Sequence, residues 1–159
     1  MYTKPNLWNM EPSKERFKQL KKLVCQPVSE DFDIDEIHWV TDRIGITDYE
    51  GCTEAVLRGF FTINVAGEIK SSAEIQADIH PGRGNVRENL DTLATLIETA
   101  LSWSPQTKVV VHCAMGMERS PLTVAWYLHT KQNKTLDEAY EMCMKTREST
   151  IDRRSWINA

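Results

Sequence analysis

The chain has 159 residues, with 19 Lys+Arg against 23 Asp+Glu and a net charge of -4, which suits a single domain with one core. That mildly acidic balance gives no electrostatic reason to expect a nucleic-acid or anionic-membrane partner, and no apolar run of about 18 residues offers a membrane span. Four scattered cysteines (Cys25, Cys52, Cys113, Cys143) form no CxxC pair and the first residues hold no apolar signal core, so a reducing cytoplasm is expected rather than a disulfide framework or a zinc site.

Residues 1–35 read as an extension packing on a domain that spans 36–159. Within the extension, Leu7, Trp8 and Met10 are candidates to clip onto the surface. Phe17, Leu20 and Leu23 predict an amphipathic helix over 13–24, followed by an acidic linker over 30–35. A first strand is predicted at 37–40. Thr47 and Glu50 offer a capping box for a helix running to about Arg58. Strands follow at 60–65 and 73–77, then a loop over 80–85 that contains Pro81-Gly82-Arg83-Gly84. Leu90, Leu93, Ala94, Ile97 and Leu101 predict a helix over 87–103. Val109-Val110-Val111 reads as a fully buried strand over 108–112. Helices are predicted at 120–132 and 135–146, the second opened by a Thr135/Glu138 capping box. Strands alternating with helices imply an α/β fold with a central, mainly parallel sheet flanked by helices.

The chemistry concentrates in His112-Cys113-Ala114-Met115-Gly116-Met117-Glu118-Arg119-Ser120. A cysteine ends a buried strand, an arginine follows six positions later, and a helix begins at once. Ligands of α/β sheets bind beyond the carboxyl ends of strands. A strand-to-helix loop can turn its N–H groups inward as an anion nest, the helix N-terminus adds its dipole, and the planar fork of Arg119 binds two oxygens of a phosphate. Gly116 permits backbone geometry that a side chain hinders. The same field lowers a thiol's pKa from about 8.5 into the range of roughly 3.5–7.5, so Cys113 is expected to be a thiolate placed for in-line attack on phosphorus. The bland alternative is a small buried cysteine beside a surface arginine, since most free cysteines are inert.

The run His112-Cys113-x-x-Gly116-x-x-Arg119-Ser120 resembles the active-site loop of protein tyrosine phosphatases of the dual-specificity branch. Ile46-Thr47-Asp48-Tyr49-Glu50, the segment 60–68, Asn89-Leu90 and Thr146-Arg147-Glu148-Ser149 also resemble that branch, so the likeness spans about three quarters of the chain. The resemblance implies a phosphatase fold with the phosphate loop between a buried strand and a helix. It implies a phosphocysteine on Cys113, with substrate held by Ala114, Met115, Gly116, Met117, Glu118 and Arg119 and the loop supported by His112. Asp78, 35 residues before Cys113, matches the family's general acid, a role needed because phenolate and alkoxide leave poorly without a proton. Asp91 is a weaker candidate, and His80 lies close enough to assist. Ser120 matches the hydroxyl that donates to the cysteine sulfur, a role compatible with a helix cap. No metal or other cofactor is implied, because Arg119 and backbone N–H groups supply the positive field.

Glu118 departs from the small residue usual before the arginine, and its carboxylate is expected to turn outward, toward a nearby arginine or N–H. Met115 and Met117 suggest a neutral loop, which argues against highly charged substrates and for a phosphorylated protein or peptide. Phosphate or sulfate is the expected occupant of the loop, and a monomer the expected state. Two other classes compete: a phosphate-binding pseudo-enzyme, and an arsenate reductase or sulfurtransferase-like enzyme, which would need a second cysteine near Cys113.

Overall fold

Five strands make one sheet: β1 (His38–Thr41), β2 (Ile44–Thr47), β3 (Phe61–Asn64), β4 (Ile75–Gln76) and β5 (Val109–His112). Among the described residues four helices, α1 (Tyr49–Leu57), α2 (Val86–Ser102), α3 (Arg119–Lys131) and α4 (Leu136–Thr146), flank it, and a 3-10 turn (Arg154–Asn158) follows. The computed structural model describes residues 28–158; the helix over 13–24 and the clip of Leu7, Trp8 and Met10 lie outside the described residues. The strand order is β1-β2-β5-β3-β4. Only the β1/β2 pair is antiparallel; the pairings of β5 with β2 and β3, and of β3 with β4, are parallel.

Alternation along β5 divides the core. Val109 and Val111 join the main cluster with Leu90, Ile97, Leu122 and Tyr140 from α2, α3 and α4. Val110 points to the opposite face, toward Ile37 and Ala55. A central parallel strand covered on both sides can carry three valines in a row without exposing any. The register aligns Thr47 with His112 and His112 with Asn64, so three parallel strands end in one row. Cys113 is the first residue beyond that row.

The strand β2 is an element that the sequence pattern does not announce. Its four residues are buried, and Gly45 sits under Ile37 and Trp39: an added Cβ would lie 2.7 Å from Ile37 Cγ2. Thr47 therefore does not cap α1. It ends β2, and its hydroxyl donates to the carbonyls of Asp35 (3.3 Å) and Glu36 (3.1 Å). The cap is Asp48, whose Oδ1 accepts from the Gly51 N–H at 2.8 Å. The Thr135 cap forms as the spacing predicts, with Glu138 N–H donating to Thr135 Oγ1 at 3.1 Å; the Glu138 carboxylate accepts from the Thr135 hydroxyl at 3.1 Å, where a full capping box would take the Thr135 backbone N–H.

Asp48 is also buried beside the Asp35 carboxyl. Burial first, then the hydrogen bond with Asp35, pushes Asp48 up from 3.8 to about 8. The folded protein thus keeps a proton that the unfolded chain loses above about pH 4. Asp48's contribution to stability therefore falls as pH rises between about 4 and 8, by at most about 1.4 kcal/mol per pH unit, while His38, lowered to about 4, works in the opposite sense between about 4 and 6.5. Asp48→Asn keeps the capping acceptor and removes the titration. In urea unfolding from pH 4 to 8 this variant is expected to gain stability relative to the native chain as pH rises; a difference that stays constant with pH would show that Asp48 ionises normally in the fold.

Candidate active site

The loop from Cys113 to Glu118 keeps its carbonyl oxygens turned away from its centre. His112 Nδ1–H donates to the Cys113 carbonyl (2.9 Å), the Tyr49 N–H to Ala114 (3.2 Å) and the Ile151 N–H to Met117 (2.7 Å). Arg147 donates from Nη2 to Met115 (2.9 Å) and from Nε to Gly116 (2.8 Å). Glu118 gives its carbonyl to the Leu122 N–H in the first turn of α3 (3.2 Å). With the carbonyls pinned outward, the loop has the polarity of an anion nest. Gly116 has φ +66, and an added Cβ would lie 2.6 Å from Arg147 Nη2 and 2.7 Å from the Thr47 carbonyl, so both the conformation and the close packing require glycine. No side chain caps α3, in contrast to α1, α2 and α4.

Three buried cysteines lie among the described residues, Cys52, Cys113 and Cys143, and they behave differently. Burial pushes Cys143 up to about 12 and raises Cys52 as well. Burial also acts on Cys113, only 2% exposed. There it is outweighed by the Arg119 charge, the Ser120 hydroxyl and the N–H groups of Ser120 and Gly116, so the thiol falls below its ordinary value. The Ser120 Oγ lies 3.2 Å from Sγ. Cys52 contacts Ser72 Oγ at 4.0 Å and Cys143 the Pro121 carbonyl at 3.8 Å. Neither is bonded to Cys113, so among the described residues no second thiol of the kind arsenate reduction would require stands beside it; Cys25 lies outside the described residues.

His112 is fully buried. Its Nδ1 bonds a carbonyl, which only accepts, so Nδ1 carries the hydrogen. Its Nε2 then accepts from the Ser71 hydroxyl at 2.8 Å. Burial lowers its pKa, the bond to the Cys113 carbonyl opposing in part. A neutral imidazole of fixed tautomer supports the loop, as expected.

Four charged side chains line the cleft. Arg119 forms a two-pronged pair with Glu68, at 2.6 Å (Nη2–Oε1) and 2.7 Å (Nη1–Oε2). Arg83 grips Asp78 in the same way, at 2.5 Å (Nε–Oδ2) and 3.0 Å (Nη2–Oδ1). Gly67 N–H donates to Asp78 Oδ1 at 3.1 Å, and an added Cβ on Gly67 would lie 2.4 Å from Asp78 Cγ. The bond to Arg83, ahead of an opposing rise from burial, holds the Asp78 carboxyl below the usual carboxylate range. The loop 80–85 folds as a turn: the Arg83 N–H donates to the His80 carbonyl at 3.1 Å. Gly82 (φ +87) and Gly84 (φ +79) supply left-handed backbone on either side of Arg83.

Several expectations change. The Met115 and Met117 side chains are buried with Ala114 against Ile34, Val28 and Phe32. Only their backbone can face an anion, so their neutrality carries no information about substrate charge. The Glu118 carboxylate turns outward to Arg153 (3.3 Å), as expected. Asp91 is taken by the Trp126 indole N–H at 2.7 Å and is not an acid of this cleft. His80 donates to the Pro81 carbonyl (2.6 Å) and leans on Trp156, with no bond to Asp78 or Cys113. A groove of about 620 Å³ between β4 and α2 shares Asp78 and Arg83 with the cleft but includes neither Cys113 nor Arg119; it adjoins the anion cradle and is separate from it.

The residue that sequence reasoning passed over is Arg147. It is fully buried and also donates to the Ile34 carbonyl (2.9 Å) and to His38 Nδ1 (2.6 Å). Burial first, then Arg147 itself, lowers His38 to about 4, so its ring is a neutral acceptor. Burial lowers Arg147 to about 10, which leaves it charged at neutral pH. The visible signal was its place in Thr146-Arg147-Glu148-Ser149; its target, the loop 31 residues earlier, was not.

The sequence signature described as "Dual specificity phosphatase, catalytic domain" matches residues 55–158. No curated protein matches the sequence. Among solved structures, human DUSP28 is similar with a TM-score of 0.65 at 14% identity, over 82% of this chain and 90% of that one. A mouse putative dual specificity phosphatase complexed with zinc tungstate has a TM-score of 0.66 at 18% identity, over 82% and 86%. The human tyrosine phosphatase-like serine/threonine/tyrosine-interacting protein has a TM-score of 0.64 at 16% identity, over 77% and 91%. At these identities the likenesses establish the fold.

The depressed thiol is open to direct measurement. Iodoacetate alkylation of Cys113, followed by mass spectrometry of the labelled peptide, is expected to rise with pH through an inflection below the ordinary thiol value of about 8.5. Ser120→Ala removes one donor to the sulfur and should move the inflection upward. An inflection at or above 8.5 in the native protein would mean that burial wins.

Proposed function

The chain belongs to the dual specificity phosphatase family, and from that premise we propose that it hydrolyses phosphate monoesters on protein side chains through a phosphocysteine formed on Cys113. The observation that carries the reading is the cradle around Cys113, with loop carbonyls bonded outward to Arg147 and the Ser120 hydroxyl 3.2 Å from Sγ, in which the thiol falls below its ordinary value. Its two equally buried sister thiols rise instead. An inert core cysteine would behave as they do.

In the proposed reaction the Cys113 thiolate attacks phosphorus in line with the ester oxygen. The S–P bond forms as the P–O bond breaks, and the leaving oxygen takes a proton from Asp78. Arg119 and the loop N–H groups hold the three equatorial oxygens, where charge redistributes. In the second step the Asp78 carboxylate accepts a proton from water as that water attacks phosphorus. The S–P bond breaks and inorganic phosphate forms. The Ser120 hydroxyl, already 3.2 Å from Sγ, stabilises the returning thiolate. The positive field comes from the chain itself, so the proposal includes no metal.

Phosphotyrosine is the first candidate substrate, with phosphoserine and phosphothreonine to be compared in the same peptide context. The proposal takes the enzyme to act as a monomer in a reducing cytoplasm, where the thiolate stays unoxidised. With chelator present, the native chain should hydrolyse both an aryl phosphate and a phosphotyrosine peptide. Cys113→Ser should abolish turnover of both while retaining phosphate binding. Asp78→Asn should lower kcat on the peptide by about 10²–10⁴ and on an aryl phosphate with a good leaving group by much less. Undiminished activity of Cys113→Ser would sink the mechanism. A native chain that binds phosphate without turning over either substrate would be a pseudo-enzyme.

A further inference from the structure

In the cleft, the two groups that the proposed reaction needs are both paired with other side chains. The fork of Arg119 holds Glu68, and Asp78 is kept ionised by Arg83. The four side chains alternate in sign along one line, Arg119, Glu68, Arg83, Asp78. The middle gap is already short, since Glu68 Oε2 lies 3.5 Å from Arg83 Nη2.

We propose that the pairs shift by one step when a phosphate ester binds: the phosphate takes the Arg119 fork, Glu68 passes to Arg83, and Asp78 is released to take up the proton it must deliver. Arg83 is then a positioning residue that acts through Asp78, and Glu68 is the group that exchanges partners. The inference rests on the reading of Asp78 as general acid.

A phosphate dianion outcompetes a carboxylate for a planar guanidinium because it offers the same two-oxygen geometry with more charge. Three of the four side chains are partly exposed, at 46% for Arg83, 49% for Glu68 and 30% for Asp78, and the more buried Arg119, at 12%, exchanges Glu68 for the phosphate and is never left without an anion. Once Arg83 has turned to Glu68, Asp78 loses its cation and faces an added dianion, and both changes favour its protonated form. The groups facing Asp78 are consistent with this. Arg119 at the start of α3 favours its ionised form only until phosphate neutralises it. Glu68 from the β3–β4 loop opposes ionisation. The Gly67 N–H stays with Oδ1, α2 contributes the neutral Asn89 amide, and His80 is turned to the Pro81 carbonyl. The flanking glycines Gly82 and Gly84 set Arg83 on a tight turn between both carboxylates.

Turnover of a phosphotyrosine peptide at saturating concentration, measured from pH 5.5 to 8, tests the shift. Glu68→Gln leaves Arg83 without a new partner, so Asp78 stays gripped. Its kcat should fall about tenfold, with the decline toward high pH displaced to lower pH, while kcat on an aryl phosphate that needs no acid stays near native. Adding Arg83→Met should restore both kcat and the pH profile, because no grip remains to be released. A merely structural loss would not be repaired by a second deletion. Losses that simply add in the Glu68→Gln/Arg83→Met double variant, or a Glu68→Gln variant with native kcat on the peptide, would overturn the proposal. Asp78→Asn separates the two readings. If it leaves peptide turnover unchanged, the acid assignment itself has failed; if it lowers turnover while Glu68→Gln does not, the exchange alone has failed.

Discussion

The site depends on one constraint: the carbonyls of a six-residue loop must be held away from a centre that is to receive negative charge. Arg147 meets most of it. Its guanidinium takes two successive loop carbonyls, Met115 and Gly116, and ties them to the Ile34 carbonyl and to His38. Burying a cation is costly, and the cost is offset here by a full set of acceptors and by the acidic neighbours Cys113, Asp35 and Asp33. Gly116 follows from the same constraint, since any Cβ would strike Arg147.

The thiolate and the arginine beneath it therefore support each other. A sulfur buried this deeply would ordinarily stay protonated, as Cys143 does. At Cys113 fixed donors, Ser120 and Gly116 N–H among them, stand where water would otherwise have to be. Those donors need no reorganisation when charge moves onto or off the sulfur, which is the condition for cheap nucleophile activation and cheap leaving in the second step. His112 adds rigidity rather than charge. Its ring is locked between the Cys113 carbonyl and Ser71, and Ser71 lies in the β3–β4 loop, the same loop that carries Glu68.

The local part of this was legible in the sequence. Three valines, a His-Cys pair, a glycine and an Arg-Ser-Pro within one run define strand, cradle and helix because all of that physics lies within a dozen residues. Legibility stopped where the interaction was long-range. Arg147 is 31 residues from Gly116 and Glu68 is 51 from Arg119, distances at which no periodicity or spacing rule applies. The strand β2 was hidden for a related reason. Its four residues include Gly45, a poor strand former, and the strand exists because β5 pairs with it. Thr47 and Glu50 matched a capping box by spacing, yet the hydroxyl was already committed to Asp35 and Glu36, and the neighbouring Asp48 took the cap. The buried methionines show the converse error: a residue's type is legible, but the direction of its side chain out of an irregular loop is not.

Two kinds of electrostatics thus meet in one cleft, and they differ in burial. Below the loop, Arg147 and His112 are fully buried, and each is held by several fixed partners, backbone carbonyls among them. They hold the loop carbonyls outward, and within that loop the Cys113 thiol stays below its ordinary value. Above the loop, Glu68, Arg83 and Asp78 are partly exposed, and each carboxylate has two arginines within reach or one bond away. A general acid must be neutral before the first step and anionic before the second, so a rigidly buried acid could serve only one of them. An exposed carboxylate in a chain of exchangeable pairs can change its ionisation as the charge of the bound phosphate changes. The sealed half holds the geometry constant, and the open half is free to follow the charge.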